Sequence, residues 1–173
     1  TKMAGQSVIV KRYNIKSLVR RVRRWFKPRA RIAWRNGHRL AFLRIPTSTP
    51  IALLEERTGP LRGRSWIVME DCGDEDLLGA VNRGGWQENW LDQMARILIT
   101  FRILSLSHGD RKATNVLILD GIIRVVDLDA LAEAPERFES DIARLIANWE
   151  EQPRLLEPLM DTLRMHGLLE TTH

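Results

Sequence analysis

Three polar residues frame an apolar stretch in the second half of the chain. Asp110 and Asn115 precede the run "VLIL", and Asp127 follows the run "IIRVV". The Asp120–Gly121 pair between these runs is a strong hairpin signal, so we expect the turn to bring the three positions together. Two carboxylates 4 Å apart repel by about 1 kcal/mol in water and about 4 kcal/mol at an effective dielectric of 20. Such a cluster indicates a cation, and oxygen ligands from Asp and Asn suit Mg2+.

The spacing of these residues restricts the class of reaction that the cluster would support. His108, Asp110 and Asn115 follow the H-x-D-x-x-x-x-N pattern of the catalytic loop in protein-kinase-like enzymes, and Asp127 stands where those enzymes place a second metal-binding acid. Lys11 lies upstream in a predicted strand. The alternative is that these acids are solvated loop residues that satisfy turns, and that Lys11 faces solvent. The shared order and spacing favour the catalytic interpretation.

The elements that must position these residues follow from apolar periodicity. In the first half they are a strand over Ser7–Asn14, a basic amphipathic helix over Ile15–Phe26, a helix over Ala30–Leu43, and strands beginning at Ile51 and Arg64. In the second half they are a long helix over Gln87–Ser107, the hairpin, and helices over Glu139–Trp149 and Arg154–Met165. The first half of the chain thus combines strands with helices, and the second half is mainly helical.

Composition places the chain among ordinary globular proteins. It has 173 residues, of which 44% are hydrophobic and 28% charged, enough for one domain with a core. The single cysteine, Cys72, excludes an internal disulfide and lacks the partners of a zinc site. No apolar run approaches the roughly 18 residues of a membrane span, and no signal peptide is recognisable. We expect a cytoplasmic protein that has lost an N-terminal piece, since the chain begins with Thr.

Charge is divided unevenly along the sequence. Residues 1 to 54 hold 14 Lys and Arg and no Asp or Glu, whereas the remainder carries 13 basic and 22 acidic residues. A first segment at +14 favours an anionic partner: phosphate groups, a membrane surface or nucleic acid. The helix over residues 16–27 could equally have an ordinary solvated face, and nucleic acid is the least favoured partner because a docking motif is lacking.

Several segments together resemble the lipopolysaccharide kinases, which phosphorylate Kdo or heptose sugars of the bacterial inner core. They are "VKRYN", "AWRNGHRL", "IPTSTPIALLEER", "HGDRKATNVLI", "VVDLDAL" and "SDIARL", and they extend over nearly the whole chain. The resemblance implies an α+β, protein-kinase-like two-lobed fold. Its N-lobe (1–70) would be incomplete, with a short antiparallel sheet plus helices; a hinge (71–75) and a mainly helical C-lobe (76–173) would follow.

The resemblance also implies roles for individual residues. Lys11 would hold the phosphates of ATP, and Asp110 would accept the proton of the attacking hydroxyl. Asn115 and Asp127 would hold Mg2+. The backbone around Glu70 to Cys72 would form the adenine-binding hinge. His108 and Asp141 would support the catalytic loop. The acceptor would be an anionic glycolipid or sugar, reached from the cytoplasmic face of the inner membrane with peripheral contact through residues 16–27.

Three features depart from the family pattern. Only a few residues precede Ser7, so the Gly-rich loop that covers the phosphates is missing from this chain. The acid that should pair with Lys11 from a helix is replaced by Ala33 in our alignment. "DLD" stands in place of D-F-G, which leaves Asp129 either as a further metal ligand or, as we favour, a turn residue.

These departures leave two alternatives open. One is a kinase of the same fold with another small-molecule or protein acceptor. The other is a catalytically inactive pseudokinase or binding module.

Overall fold

The computed structural model describes residues 2–3, 5–13, 29–58, 61–85, 87, 89–110, 113–150 and 153–169. The basic helix predicted over residues 15–26 lies outside these ranges. The chain divides into two compact units. The first comprises Thr1–Cys72 and Val126–Ala130, and the second Gly73–Val125 and Leu131–His173. Both helices and small antiparallel sheets are present, which confirms the predicted α+β class.

An antiparallel sheet and one helix form the described part of the first unit. The elements are β1 (Lys2–Met3), β2 (Gln6–Tyr13), α1 (Arg29–Phe42), β3 (Pro50–Thr58) and β4 (Leu61–Glu70). The strands lie in the order β1-β2-β4-β3. Lys11 and Tyr13 share one face of β2 because side chains alternate along a strand. Tyr13 packs in a core with Ala33 of α1 and Ile67 of β4, so this face of the sheet is the one covered by the helix.

Helix α1 packs closely against the sheet through a glycine. A Cβ added at Gly37 would lie 2.7 Å from the Cδ of Pro50, at the start of β3, and closer still to its Cγ. Near the start of the same helix, Arg31 donates two hydrogen bonds, of 2.8 and 2.7 Å, to the carboxylate of Glu55. The small residue and the bidentate pair together fix α1 on β3.

Helix α1 ends in a Schellman motif. The N–H of Ile45 donates to the carbonyl of Leu40, and the N–H of Arg44 to that of Ala41. Arg44 has φ 57°, the left-handed conformation that this motif requires. The turn leaves Phe42 87% exposed at the end of the helix.

The second unit is mainly helical. Its helices are α2 (Leu77–Asn82), α3 (Asn89–Ile103), α4 (Phe138–Ala147) and α5 (Pro153–Met165), and its strands are β5 (Leu106–Ser107), β6 (Val116–Leu119), β7 (Ile122–Val125) and β8 (Ala132–Glu133). Strand β5 pairs with β8 and β6 with β7, both antiparallel. Helix α3 packs against α5 and β7. Its face carries Leu98 and Phe101, which are fully buried.

The predicted hairpin forms, while the long helix is shorter than predicted. Asp120 (φ 54°) and Gly121 (φ 74°) both adopt the left-handed conformation of a type I′ turn. Helix α3 ends at Ile103 rather than Ser107, because Ser105 (φ 55°) turns the backbone out of the helix. Leu106 is nevertheless fully buried, now as part of β5. Within the described residues, no helix is both long and apolar enough to cross a bilayer.

Gly37→Ala should destabilise the protein. The methyl group overlaps the ring of Pro50, and overpacking costs about 1–3 kcal/mol, more than the helix-propensity gain of about 1 kcal/mol for Ala over Gly. Gly79→Ala in α2 is the matched control, because there the nearest atoms lie at an ordinary 3.5 Å and the same exchange should stabilise. Urea unfolding of both variants measures the two signs; a stabilised Gly37→Ala variant would contradict the close packing of α1.

Candidate functional site

The loop that follows β5 is held by a buried carboxylate. One oxygen of Asp141, Oδ2, accepts hydrogen bonds from the Ser107 hydroxyl (2.8 Å) and from the backbone N–H groups of His108 (2.7 Å) and Gly109 (3.3 Å). Asp141 and His108 are each 1% exposed. Asp141 lies in the first turn of α4, where the helix dipole favours a negative charge. The loop backbone immediately before Asp110 is therefore fixed from α4.

Asp110 and Asn115 are joined across the same loop. The side-chain amide nitrogen of Asn115 donates to the backbone carbonyl of Asp110 at 2.6 Å. Asn115 ends a 3-10 turn over Ala113–Asn115, which leads directly into β6. Arg144 of α4 also donates to the carbonyl of Gly109 at 3.0 Å. Since the amide nitrogen is engaged with the loop, the carbonyl oxygen of Asn115 is the atom suited to a metal.

Lys11 and Asp127 form an ion pair in the first unit. The Nζ of Lys11 donates to Oδ1 of Asp127, 116 residues further along the chain. Asp127 has φ 61°, a left-handed conformation that is uncommon for a non-glycine residue, although Asp adopts it more readily than most. Both side chains are about one-third exposed, so the pair is open to solvent and to ligands.

A cleft surrounds this pair. Its polar lining comes from Lys11, Asp127, Thr47 and Ser48, and its apolar lining from Tyr13, Ala33, Pro50, Ile67, Met69, Val126 and Leu128. Thr47 and Ser48 are buried, although the sequence suggested only a loop that ends a helix. Ala33 lies in this lining, at the helix position where the family pattern has an acid. In the first unit, the negative charge that pairs with Lys11 therefore comes from Asp127.

Two further residues that sequence reasoning passed over contact the segment after Asp127. Asn36 of α1 donates from Nδ2 to the carbonyl of Leu128 at 2.9 Å. An Nη atom of Arg29 lies 2.5 Å from the carboxylate of Asp129, whose side chain is only 6% exposed. The sequence carried one indication of this contact, which is a polar Asn on the otherwise apolar face of α1.

The carboxylate of Asp129 is paired with Arg29, but its surroundings disfavour its negative charge. Burial raises the pKa of its carboxyl above the ordinary value, and repulsion from Asp127 raises it further, while Arg29 and Lys11 act in the opposite direction. Arg29 stands at the first residue of α1, where the helix dipole disfavours a cation. The ion pair with the buried carboxylate of Asp129 explains why an arginine stands at this position.

The predicted hinge residues lie at the end of β4. The N–H of Glu70 donates to the carbonyl of Thr49 (2.9 Å), and the Glu70 carbonyl accepts from the hydroxyl of Ser48 (2.5 Å). Cys72 is buried, with its sulfur 4.0 Å from the same carbonyl. An adenine-binding role for these residues stays a prediction.

The predicted metal ligands suit Mg2+ in type. Asp127 offers carboxylate oxygens and Asn115 an amide oxygen, which are the donors that Mg2+ prefers. Among the described residues, no group of three or more His, Cys, Asp or Glu side chains could hold a metal ion. A magnesium ion bound through one or two protein ligands takes its other ligands from water and substrate phosphates. Each of these two donors, taken by itself, is of the type that binds a magnesium ion carried by a nucleotide.

Comparison with known proteins gives a likeness of fold. No family model matches the chain, and a search of curated proteins finds no match. Among solved structures, "WaaP in complex with acyl carrier protein" matches with a TM-score of 0.60 and 21% identity, covering 96% of this chain and 77% of that chain. The chain therefore has the fold seen in WaaP. At this level of identity the likeness is one of fold alone.

Asp141→Ala should lower the free energy of unfolding by roughly 2–4 kcal/mol, because it leaves several buried donors without their acceptor. Asp141→Asn keeps one acceptor oxygen and should lose less. Asp161→Ala is the control, since that carboxylate is 77% exposed and its pair with Arg164 should contribute at most about 1 kcal/mol. Urea titration followed by circular dichroism compares the variants, and equal losses at positions 141 and 161 would contradict the bracing role.

Proposed function

We propose that this chain is an ATP- and Mg2+-dependent kinase that phosphorylates a hydroxyl of a lipopolysaccharide inner-core sugar, Kdo or heptose. The observation that carries the proposal is the pairing of Lys11 with Asp127. A strand lysine and a distant acid meet in the first unit, and these are the two residues to which the family resemblance gives the nucleotide phosphates and the metal. The WaaP fold supports the same conclusion.

Each residue has a distinct role in this proposal. The ammonium of Lys11 binds phosphate oxygens, a task for which its compact charge is suited. The family resemblance assigns the magnesium to Asp127 and to the amide oxygen of Asn115, and the bound ion would neutralise the charge of the transferring phosphoryl group. Asp110 orients the acceptor hydroxyl and takes its proton. Phosphoryl transfer depends mainly on positioning and charge stabilisation, so a few fixed polar groups suffice.

The braced loop of the second unit suits the role proposed for Asp110. Its backbone is fixed on one side by Asp141 and on the other by Asn115. A base that must meet one hydroxyl of a sugar gains from a backbone that does not reorganise during the reaction. The buried His108 contributes through its backbone N–H to Asp141, in keeping with a supporting role rather than proton transfer.

The acceptor proposed here is presented at an anionic membrane, and charge supports that location. Helix α1 leaves Arg35, His38 and Phe42 exposed, and Arg44 is exposed beyond its end. An aromatic side chain among arginines is typical of surfaces that bind the interface of anionic bilayers. We propose peripheral contact with the cytoplasmic face of the inner membrane, to which residues 16–27 would add further positive charge.

A pseudokinase or binding module is the second candidate, and Ala33 is the observation that favours it. An alanine in the lining of the Lys11 cleft cannot supply the acid that active members of the fold use. Nucleotide binding without phosphate transfer would indicate this second candidate. A kinase with another acceptor would instead transfer phosphate to a different member of an acceptor panel.

Asp110→Asn should reduce phosphate transfer by about 10²–10⁴-fold while leaving ATP binding unchanged, because the amide cannot accept the hydroxyl proton. Asp127→Ala should weaken the dependence on Mg2+ first. Asp161→Asn, an exposed carboxylate of α5, is the control and should retain full activity. Transfer from labelled ATP to purified core glycolipid measures these effects, and wild-type rates in Asp110→Asn would rule out the assigned base.

Phe42→Ser should reduce binding to anionic vesicles by about tenfold, since burial of a Phe side chain contributes about 1.5–3 kcal/mol. Arg44→Glu should weaken binding as well, because each arginine near an anionic leaflet contributes about 1 kcal/mol. Met165→Ser is the control, as that side chain is similarly exposed at the end of α5. Flotation with vesicles containing phosphatidylglycerol at low salt gives the result, and wild-type protein that stays in solution would refute the membrane contact.

A further inference from the structure

Asn36 occupies an unusual place for an asparagine. It lies in the interior of α1, is only 4% exposed, and follows the cleft residue Ala33 by one helical turn. Asparagine is a poor residue for a helix interior because its side chain competes for backbone hydrogen bonds. A buried amide at such a position must find partners. Asn36 uses its amide nitrogen for the carbonyl of Leu128, 92 residues away.

The partner of Asn36 directly follows Asp127. A hydrogen bond to the carbonyl of Leu128 fixes the orientation of the peptide unit after that residue, and so restricts the backbone of the preceding Asp127. This restriction matters because Asp127 adopts a left-handed conformation (φ 61°), which is uncommon for a non-glycine residue even though Asp adopts it more readily than most.

Three successive residues of this segment are each held by one residue of the first unit. Lys11 binds the Asp127 carboxylate, Asn36 the Leu128 carbonyl, and Arg29 the Asp129 carboxylate. Lys11 and Arg29 each bind a carboxylate. A bound ligand would also contact these carboxylates or change their electrostatic environment. Asn36 acts on a neutral backbone group, so its hydrogen bond can persist when Lys11 turns to phosphate.

The negative charges nearby explain why α1 has an asparagine rather than an acid at position 36. Asp127 and Asp129 are two carboxylates in the same short segment, so their negative charges repel each other. A carboxylate on this face of α1 would add a third negative charge to the segment. An amide donates a hydrogen bond without that penalty.

From these contacts we infer that Asn36 is a positioning residue for Asp127, and that it links α1 to the proposed metal-binding segment. The inference rests on the proposed function, since Asp127 is a magnesium ligand only in that proposal. Asn36 touches neither substrate nor metal in this account and acts through the backbone of Leu128.

The first test needs no ligand. Asn36→Ala removes the donor, and hydrogen exchange measured by mass spectrometry should become at least about tenfold faster in the peptide that contains residues 126–130. Thr162→Val is the matched control, because it also removes a buried side-chain donor to a backbone carbonyl, that of Pro158 in α5. This variant should leave exchange at residues 126–130 unchanged, which separates a local effect from a general loss of stability.

The second test measures ATP binding by calorimetry with and without Mg2+. In Asn36→Ala, the gain in ATP affinity caused by Mg2+ should fall at least about tenfold, while metal-free ATP binding stays at the wild-type level. A purely structural role would change neither quantity in the folded protein. If Asn36→Ala does not fold, Asn36→Asp keeps the side-chain shape but cannot donate when ionised, and the same two results are expected.

The outcomes separate the two claims. Faster exchange at residues 126–130 together with a reduced magnesium effect supports the positioning role. Unchanged exchange, or an unchanged magnesium effect, in a folded Asn36 variant overturns it. Wild-type protein whose ATP affinity does not respond to Mg2+ would instead overturn the proposed function, together with the role that Asn36 has in it.

Discussion

The ion pair between Lys11 and Asp127 joins the two stretches of sequence that form the first unit. The segment Val126–Ala130 is remote in sequence from the rest of that unit, and this pair brings it to β2. Residues 1 to 54 contain no acid, so the counter-charge for Lys11 must come from elsewhere in the chain. Asp127 supplies it, at the cost of a left-handed backbone that Asn36 helps to maintain.

The second unit also depends on a carboxylate that holds a short segment in place. A single buried carboxylate, Asp141, organises the loop before Asp110 by accepting several hydrogen bonds. In each unit, a carboxylate fixes a short polar segment that has little regular structure of its own. This arrangement suits phosphoryl transfer, where accurate placement of a few groups contributes more than strong acids or bases.

The sequence predicted those elements whose signals are local. The Asp120–Gly121 turn specified its hairpin because both residues tolerate positive φ, and apolar periodicity located α1 and α3. Periodicity could not reveal the end of α3, since Ser105 leaves the helix without a glycine or proline to mark the change. Strands β5 and β8, with two residues each, are too short to show any alternation.

The candidate site was predictable in its residue types but less so in its contacts. The spacing of His108, Asp110 and Asn115 is visible in the sequence. The bonds of Asn36 to Leu128 and of Arg29 to Asp129 are not, because each joins residues about 90 to 100 positions apart that only tertiary folding brings together. The same holds for the pairing of Lys11 with Asp127 rather than with a helix acid.

Calorimetric titration of the wild-type protein with ATP, in the presence and absence of Mg2+, tests the central claim most directly. If Lys11, Asn115 and Asp127 serve a magnesium nucleotide, ATP should bind with one-to-one stoichiometry and markedly higher affinity when Mg2+ is present. Absence of ATP binding under both conditions, with the protein folded, would contradict the account.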